Sequence, residues 1–529
     1  MRKDWWAAVV GVISALAVLA TAEIGAVFVS ASSSPFFAVG QLAIDLAPRW
    51  LKETMISIFG TGDKAALFAI LGAVVLVFAA LAGVLERRRS PFGIAVLVAF
   101  SAIAVLAVTT RPEATGIWAV PAVLGMLVGV LVLRAGTARL QAWQHARAAA
   151  AVDPAAADPA AVDPAAAEFV SGGIQRRQFL TFAGVAGAVA LIAGIGARAM
   201  NASTAAVTAI RNAISLPSPA TPAPATPSGA QLDIEGISSL VTPNEQFYRI
   251  DVALQVPQLD PDSWQLKITG MVDTEITLSY AELLALPLTE HVTTIACVSN
   301  EVGGGLIGNA SWLGYPIREL LEKAGPHAGA DMVLSKGPDG FSAGTPIEAL
   351  TDPDREALLA VGMNGSPLPT EHGFPARMIV PGLFGYVSAT KWVTEMKLTR
   401  FADEQGYWTP RGWDALGPVV TQSRIDVPRS GQGVASGTVA IAGVAWAQHT
   451  GIEGVDVRVD DGPWQQATLA APISIDTWVQ WSLPWEASPG RHRITVRATD
   501  SSGYTQTDRE APPAPNGATG WHSIEVQVN

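Results

Sequence analysis

The sequence predicts a multi-domain chain with an N-terminal helical transmembrane bundle, a central α+β domain and a C-terminal immunoglobulin-like β-sandwich. Three observations carry that prediction. Apolar runs of membrane-spanning length recur through the first 200 residues; short capped helices alternate with strands after residue 232; and beyond about Tyr407 strand-length runs are separated by Gly, Asp-Gly and Ser-Gly turns.

A spanning helix needs about 20 mostly apolar residues. Segments 5–29, 66–85, 92–110, 117–133 and 179–197 meet or nearly meet that length; the fourth is short, and the first carries Glu23. One such run could be a buried soluble helix, but five in succession favour a bundle. Arg2, Lys3, the run Glu86-Arg87-Arg88-Arg89, Arg134, Arg139, Arg147 and Arg176-Arg177 all fall on one side if the N-terminus is cytoplasmic. The expected location is therefore the cell membrane, multi-pass, with everything beyond about residue 200 extracytoplasmic. Residues 42–60 have the spacing of a short helix lying in the membrane interface.

Domain bounds follow from composition. Residues 1–148 hold the first four spans, and 149–175 form an Asp-Pro-Ala linker. Residues 176–200 hold the fifth span, opened by "IQRRQFL", which reads as a twin-arginine export signal or as an ordinary basic flank. Residues 201–231 are a Pro-rich tether, expected to be extended and semi-rigid. The α+β domain covers 232–403 and the β-sandwich 404–529.

Within the α+β domain, 264–270 alternates like a strand and 376–382 reads as a buried strand. Ser279 and Glu282 form a capping box for a helix over 279–287, and Pro316 and Gly325 bracket another. The sandwich strands are expected at 437–447, 455–469, 477–485, 491–503 and 522–528, with Trp446, Trp464, Trp478, Trp481 and Trp485 in the core or at an interface.

Net charge is −12 and no basic stripe interleaves with aromatics, which argues against nucleic acid as a partner. The chain has a single cysteine, Cys297. That excludes an internal disulfide and a Cys-based zinc or iron–sulfur site. Cys297 precedes Ser299, Asn300, Glu301 and the run Gly303-Gly304-Gly305, a polar turn better suited to a site wall than to a core. The thiol could be a small hydrophobe, a nucleophile with His372 or His291 as base, or a soft-metal ligand. In 371–392, His372, Arg377, Ser388, Thr390 and Lys391 among Gly-rich backbone suit an anionic phosphate. In 242–251, Asn244, Phe247 and Tyr248 could hold a planar ring or cap a turn, and 337–344 reads as a turn.

These motifs occur in a definite order: Thr242-Pro243-Asn244-Glu245-x-Phe247, Cys297 with Asn300, Asp339-Gly340-Phe341, Asn364-Gly365-x-Pro367-Leu368-Pro369, His372-Gly373-Phe374-Pro375-Ala376-Arg377 and Val380-Pro381-Gly382. The set resembles the sulfite oxidase family of molybdopterin enzymes over roughly 233–400, and the C-terminal region is similar to that family's molybdenum-cofactor dimerisation domain. The resemblance implies one molybdenum-molybdopterin per chain, with Cys297 as the metal ligand. It implies that Asn244, Phe247 and Tyr248 contact the pterin and that His372 and Arg377 hold the cofactor. Ser388, Thr390 and Lys391 fall on the family's next cofactor loop, with one extra residue before the Lys-Trp pair.

Two departures bear on substrate. Arg249 stands one position early relative to the family's Arg, and Glu301 replaces an Arg after Asn300. A carboxylate there is unwelcoming to a sulfite dianion. Oxygen-atom transfer on an S-oxide or other small substrate is therefore expected, with sulfite dehydrogenation or a cofactor-free binding protein as alternatives. Ser299, Asn300 and Glu301 are expected to tune the metal through hydrogen bonds. No haem is expected, since the spans lack histidine and His145 lies beyond the fourth. Electrons would then pass to or from a separate electron-transfer protein or a quinone-linked partner. A homodimer through the C-terminal domain is also implied.

Overall fold

The computed structural model describes residues 2–29, 33–48, 63–111, 114–152 and 206–529, with a few positions between 51 and 59. The fifth apolar segment, Arg176-Arg177 and nearly all of the 149–175 linker lie outside the described residues. The chain divides into two units, Met1–Ala206 and Val207–Asn529.

Among the described residues the first unit contains helices α1 (Arg2–Val29), α2 (Pro35–Leu46), α3 (Asp63–Arg88), α4 (Phe92–Thr109) and α5 (Ala119–Val152). Four stretches, Asp4–Ala26, Ala66–Arg88, Phe92–Thr109 and Gly116–Ala142, are long and apolar enough to cross a membrane. They coincide with the first four predicted spans. The short helix α2 starts earlier than the predicted 42–60 segment, because Ser34 caps it and Pro35 opens it.

Small residues set the packing in this unit. A Cβ on Gly11 would lie 1.9 Å from the Ala79 carbonyl oxygen, and one on Gly83 would lie 1.9 Å from that of Ala7. The two glycines thus let the α1 and α3 backbones touch, as small residues four apart do in membrane bundles. Two acidic side chains satisfy helix starts. Glu23 accepts from Ser34 Oγ at 2.8 Å and from the Phe36 amide at 3.1 Å. Glu86 accepts from Ser90 Oγ at 2.7 Å and from the Ile94 amide at 3.0 Å, at the beginning of α4. Asp4 pairs with Arg87 and Arg88 at the same C-terminal end of α3.

The second unit begins with a helical turn over 206–213 and continues as the Pro-rich stretch. That stretch is extended, and it is not loose: the amides of Ala220 and Glu290 bond to the carbonyls of Leu288 and Thr221, each at 2.8 Å. Next come β1 (Gln265–Gly270), β2 (Ile276–Ser279), α6 (Tyr280–Leu284), β3 (Thr289–Ala296), β4 (Ile307–Pro316), α7 (Ile317–Ala324), β5 (Met332–Lys336), β6 (Ser342–Pro346), α8 (Ile347–Thr351), β7 (Leu358–Met363), β8 (Ser366–Pro367), β9 (Arg377–Ile379), α9 (Gly385–Ser388) and β10 (Glu395–Thr399).

One sheet has the order β2-β1-β10-β5-β6 and the other β3-β4-β7-β8, with β9 on β7. Only β1 and β10 pair in parallel; the remaining pairs are antiparallel. The expected capping box starts α6, and Gly325 in the left-handed region ends α7. The fully buried Trp312, Leu266, Ile268, Ile317 and Phe374 belong to the core that joins the two sheets. This is an α+β domain, as predicted.

The C-terminal region contains β11 (Gln422–Val427), β12 (Gly433–Val434), β13 (Gly437–Trp446), β14 (Ile452–Val459), β15 (Gln465–Gln466), β16 (Thr468–Leu469), β17 (Val479–Ala487), β18 (Gly490–Asp500) and β19 (His522–Val528). They form two sheets, β11-β13-β17-β16 and β12-β19-β18-β14-β15. Ile441, Trp481 and Leu483 of the first pack with Val457, Val496 and Ile524 of the second. Alternate residues of β18 are buried, the pattern of a strand with one covered face. Trp446, Trp478 and Trp481 are buried, as expected, with Trp446 and Trp478 in the cluster shared with Ala296 and Val298 of the α+β domain.

Candidate cofactor site

The site grows from the end of β3. Cys297 is half-buried, and its amide bonds to the Leu306 carbonyl at 2.9 Å, closing the loop back to β4. The Asn300 amide donates to the Cys297 carbonyl at 3.0 Å, and Asn300 Oδ1 accepts from the Leu306 amide at 2.7 Å. Gly304 must be glycine here, since a Cβ would fall 2.6 Å from Asn300 Oδ1. Asn300 is 4% exposed, and its Nδ2 has no partner among the described residues. Burial pushes the Cys297 thiol up; hydrogen bonds from Ser299 and the Lys391 charge pull the other way. Glu301 is exposed, and its carbonyl accepts from the Gly304 amide.

The second wall comes from 242–248. Asn364-Gly365, both at positive φ, form the tight β7–β8 turn that such a pair favours. Asn364 Nδ2 donates to Asn244 Oδ1 at 2.8 Å and to the Thr242 carbonyl at 3.0 Å. Phe247 lies on Gly308, where a Cβ would come within 2.6 Å of its ring. Its ring centroid stands 5.3 Å from Tyr248, 5.6 Å from His372 and 5.8 Å from Trp312. The tyrosine hydroxyl's pKa is raised by burial and by the Cys297 charge, and the Arg377 charge opposes the rise.

The third wall is cationic. Arg377 is 3% exposed and packs 5.1 Å from the Trp312 ring. It donates to the His372 carbonyl at 3.0 Å and more loosely to Met378 and Ala389, and among the described residues no carboxylate pairs with it. Burial lowers its pKa to about 10, so it is protonated at neutral pH. Lys391 donates to Asp251 at 3.1 Å and to the Glu371 carbonyl at 3.0 Å, and burial pulls it down to about 8. His372 is held neutral, at about 4, by burial and by the charges of Lys391 and Arg377. Its Nε2 faces the Asn244 carbonyl at 3.1 Å, while the buried Nδ1 has no partner among the described residues.

Asn244, Phe247, Tyr248, Cys297, His372, Arg377 and Lys391 thus lie in one cluster. Ser388 and Thr390 are close in sequence, but their hydroxyls are engaged elsewhere. Ser388 bonds to the Phe384 carbonyl at 2.9 Å and Thr390 to Ser335 at 2.7 Å. Neither imidazole considered as a base for Cys297 hydrogen-bonds it: His372 is turned to Asn244, and His291 pairs with Asp476 at 2.8 Å. Asn309 and Arg424 carried no local signal, while Asp339 belongs to the Asp339-Gly340-Phe341 motif. Asn309 holds the Leu240 carbonyl at 2.8 Å, and the buried Asp339 lies near enough to Asp251 and Lys391 to feel both charges. Arg424 donates to the Gly304 carbonyl at 2.7 Å.

The residues fit molybdopterin. A buried guanidinium without an acid partner suits an anionic group, an unpartnered imidazole nitrogen and amide suit a polar ring system, and a half-buried thiol suits a soft metal. The profile described as "Oxidoreductase molybdopterin binding domain" matches residues 253–408. Sulfite oxidase of Gallus gallus is 31% identical over 319 residues, covering 51% of this chain and 69% of that protein. Mitochondrial sulfite oxidase of Rattus norvegicus is 30% identical, covering 55% of this chain and 62% of that one, so this chain spans less than two thirds of the mitochondrial relative. The uncharacterized oxidoreductase YuiH of Bacillus subtilis (strain 168) is 32% identical over 158 residues, 30% of this chain and 76% of YuiH. Among solved structures, the sulfane dehydrogenase SoxCD from Paracoccus pantotrophus aligns with a TM-score of 0.49 at 22% identity, covering 55% of this chain and 82% of that one. The chain belongs to the sulfite oxidase family of molybdopterin oxidoreductases.

Proposed function

We propose that this chain is a membrane-anchored, extracytoplasmic molybdopterin-dependent oxidoreductase that transfers an oxygen atom to or from a small substrate, an S-oxide in preference to sulfite. The observation that carries this reading is the buried, acid-free Arg377 in one cluster with the half-buried Cys297 thiol. When bound, the molybdenum cofactor supplies two-electron oxygen-atom transfer. The chain's own residues supply the rest. Cys297 offers a thiolate to the metal, and Lys391 favours that charge. Arg377 neutralises an anionic group, His372 offers Nδ1 as an acceptor, and Asn300 Nδ2 is a fixed donor beside the thiol loop. Electrons go to or come from a separate electron-transfer protein or a quinone-linked partner.

Sulfite remains the second reading, on one observation: Glu301 is exposed, so water and salt screen the charge that would repel a dianion. The test is molybdenum and pterin per protein for wild type and Cys297→Ser, followed by turnover of a methyl sulfoxide against sulfite. Near-stoichiometric cofactor, lost or spectroscopically altered in the variant, supports the class. A wild-type chain without metal or pterin overturns it. Faster sulfite turnover in wild type, little changed in Glu301→Gln, would shift the substrate to sulfite.

A further inference from the structure

The loop that carries Cys297 is held from outside its own domain. We propose that the C-terminal sheets are part of the cofactor centre, with Arg424 of β11 as a positioning residue that fixes the Cys297 loop; the word centre rests on the cofactor reading above.

Arg424 uses every edge of its guanidinium. Nη1 donates to the Gly304 carbonyl at 2.7 Å, Nη2 to Ser238 Oγ at 2.8 Å and Nε to Asp426 Oδ1 at 2.7 Å. The side chain is 11% exposed and Asp426 is 8% exposed, so the fork is shielded from water. Asp426 closes the ring by accepting from the Ser238 amide at 3.0 Å. Beside it stands His522 of β19. A Cβ on Gly303, which has φ +76°, would fall 2.3 Å from that imidazole. Burial and the Arg424 charge hold His522 near 4, so it is neutral and Nδ1 accepts from the Ile425 amide at 3.0 Å.

The loop between Cys297 and Leu306 is therefore bounded on one side by Asn300, which braces it from within, and on the other by Arg424 and His522. The same sheet also holds the strand of chain that leads to Asn244. Gln480 of β17 accepts from the Leu232 amide and donates to the Ser238 carbonyl, both at 2.6 Å, and Trp478 Nε1 donates to the Leu240 carbonyl at 2.9 Å. The metal arm and the pterin arm of the site are thus registered against one another through β11 and β17. A lysine at 424 would keep the charge but could not make the planar three-way fork.

Because Cys297 is the sole thiol, its alkylation reads the loop directly. The full chain would be purified in detergent from a host unable to make molybdopterin, and iodoacetamide modification of Cys297 timed by mass spectrometry. Loss of a charge-assisted bond to Gly304 should raise the modification rate of Arg424→Ala about tenfold, with Arg424→Lys between it and wild type. Arg497→Ala serves as control: it removes a partly buried arginine of the same region, on β18, that pairs with Asp456 on β14. Modification of Arg424→Ala at the wild-type rate overturns the proposal, as does equal acceleration by Arg497→Ala. If Arg424→Ala does not fold, a wild-type rate in Arg424→Lys overturns it equally. In chains loaded with cofactor, Arg424→Lys should shift the molybdenum paramagnetic signal at unchanged metal content. Absence of molybdenum and pterin from wild type would instead sink the cofactor reading, while the alkylation rates decide the grip independently.

Discussion

Arg377 is a cation buried among carbonyls and an indole, and no acid among the described residues balances it. Taking such a charge out of water costs several kcal/mol, and carbonyls repay only part of it. A residue kept on those terms is expected to serve a ligand. Arg377→Met should leave the cofactor-free chain as stable as wild type or more so, while its molybdopterin content falls to about a tenth or less. Thermal melts of the cofactor-free protein beside pterin assays of the loaded one check this. A melt lowered by many degrees would make Arg377 structural.

Protonation gives a second test. His372 and His522 are drawn from 6.5 down to about 4, so between those values the unfolded chain binds two protons that the folded chain refuses. Asp339 is raised from 3.8 to about 6, so there the folded chain holds one proton that the unfolded chain releases. Two against one leaves stability falling on acidification, by about 1.4 kcal/mol per pH unit from these groups. Replacing both histidines with glutamine should flatten or reverse that slope in pH-dependent melts of the cofactor-free chain.

Helices and strands were largely readable beforehand, because their signals are local. The Ser279–Glu282 box, the Pro316 and Gly325 brackets, the four apolar helices and the alternation in 264–270 each rest on neighbouring residues alone. Of the site, the Cys297 turn and the His372–Arg377 run could be read from residue chemistry and order. Arg424 could not: it meets Gly304 across 120 residues, and nothing near it in sequence marks it. Ser388 and Thr390 show the converse. They sit in the cofactor-like stretch, yet α9 and Ser335 take their hydroxyls. In the helical unit, close packing makes Gly83 the sensitive position. Gly83→Val should force α1 and α3 apart and cost about 1–3 kcal/mol, seen as a lower melting temperature in detergent. Gly72→Val, where a Cβ would meet nothing within 4 Å, should be neutral.

The chain carries helices fit for a bilayer and a molybdopterin oxidoreductase domain, and the arginine pattern predicts an orientation that fusions can test. An alkaline phosphatase fused after Asn529 should be active in an export-competent host, and one fused after Arg89 inactive. The opposite pattern would place the catalytic unit in the cytoplasm.

Arg424 and His522 have a further consequence, in the order of assembly. A chain is made from its N-terminus, and contacts between distant residues form late. The Cys297 loop is synthesised long before its outer support, since His522 begins the last strand, β19. Until that strand docks, Gly303 has no imidazole against it. A polypeptide released before β19 would carry every sequence motif for the cofactor and still lack the His522 contact to Gly303. Bracing of the Cys297 loop from outside therefore waits until β19 has been made and has docked.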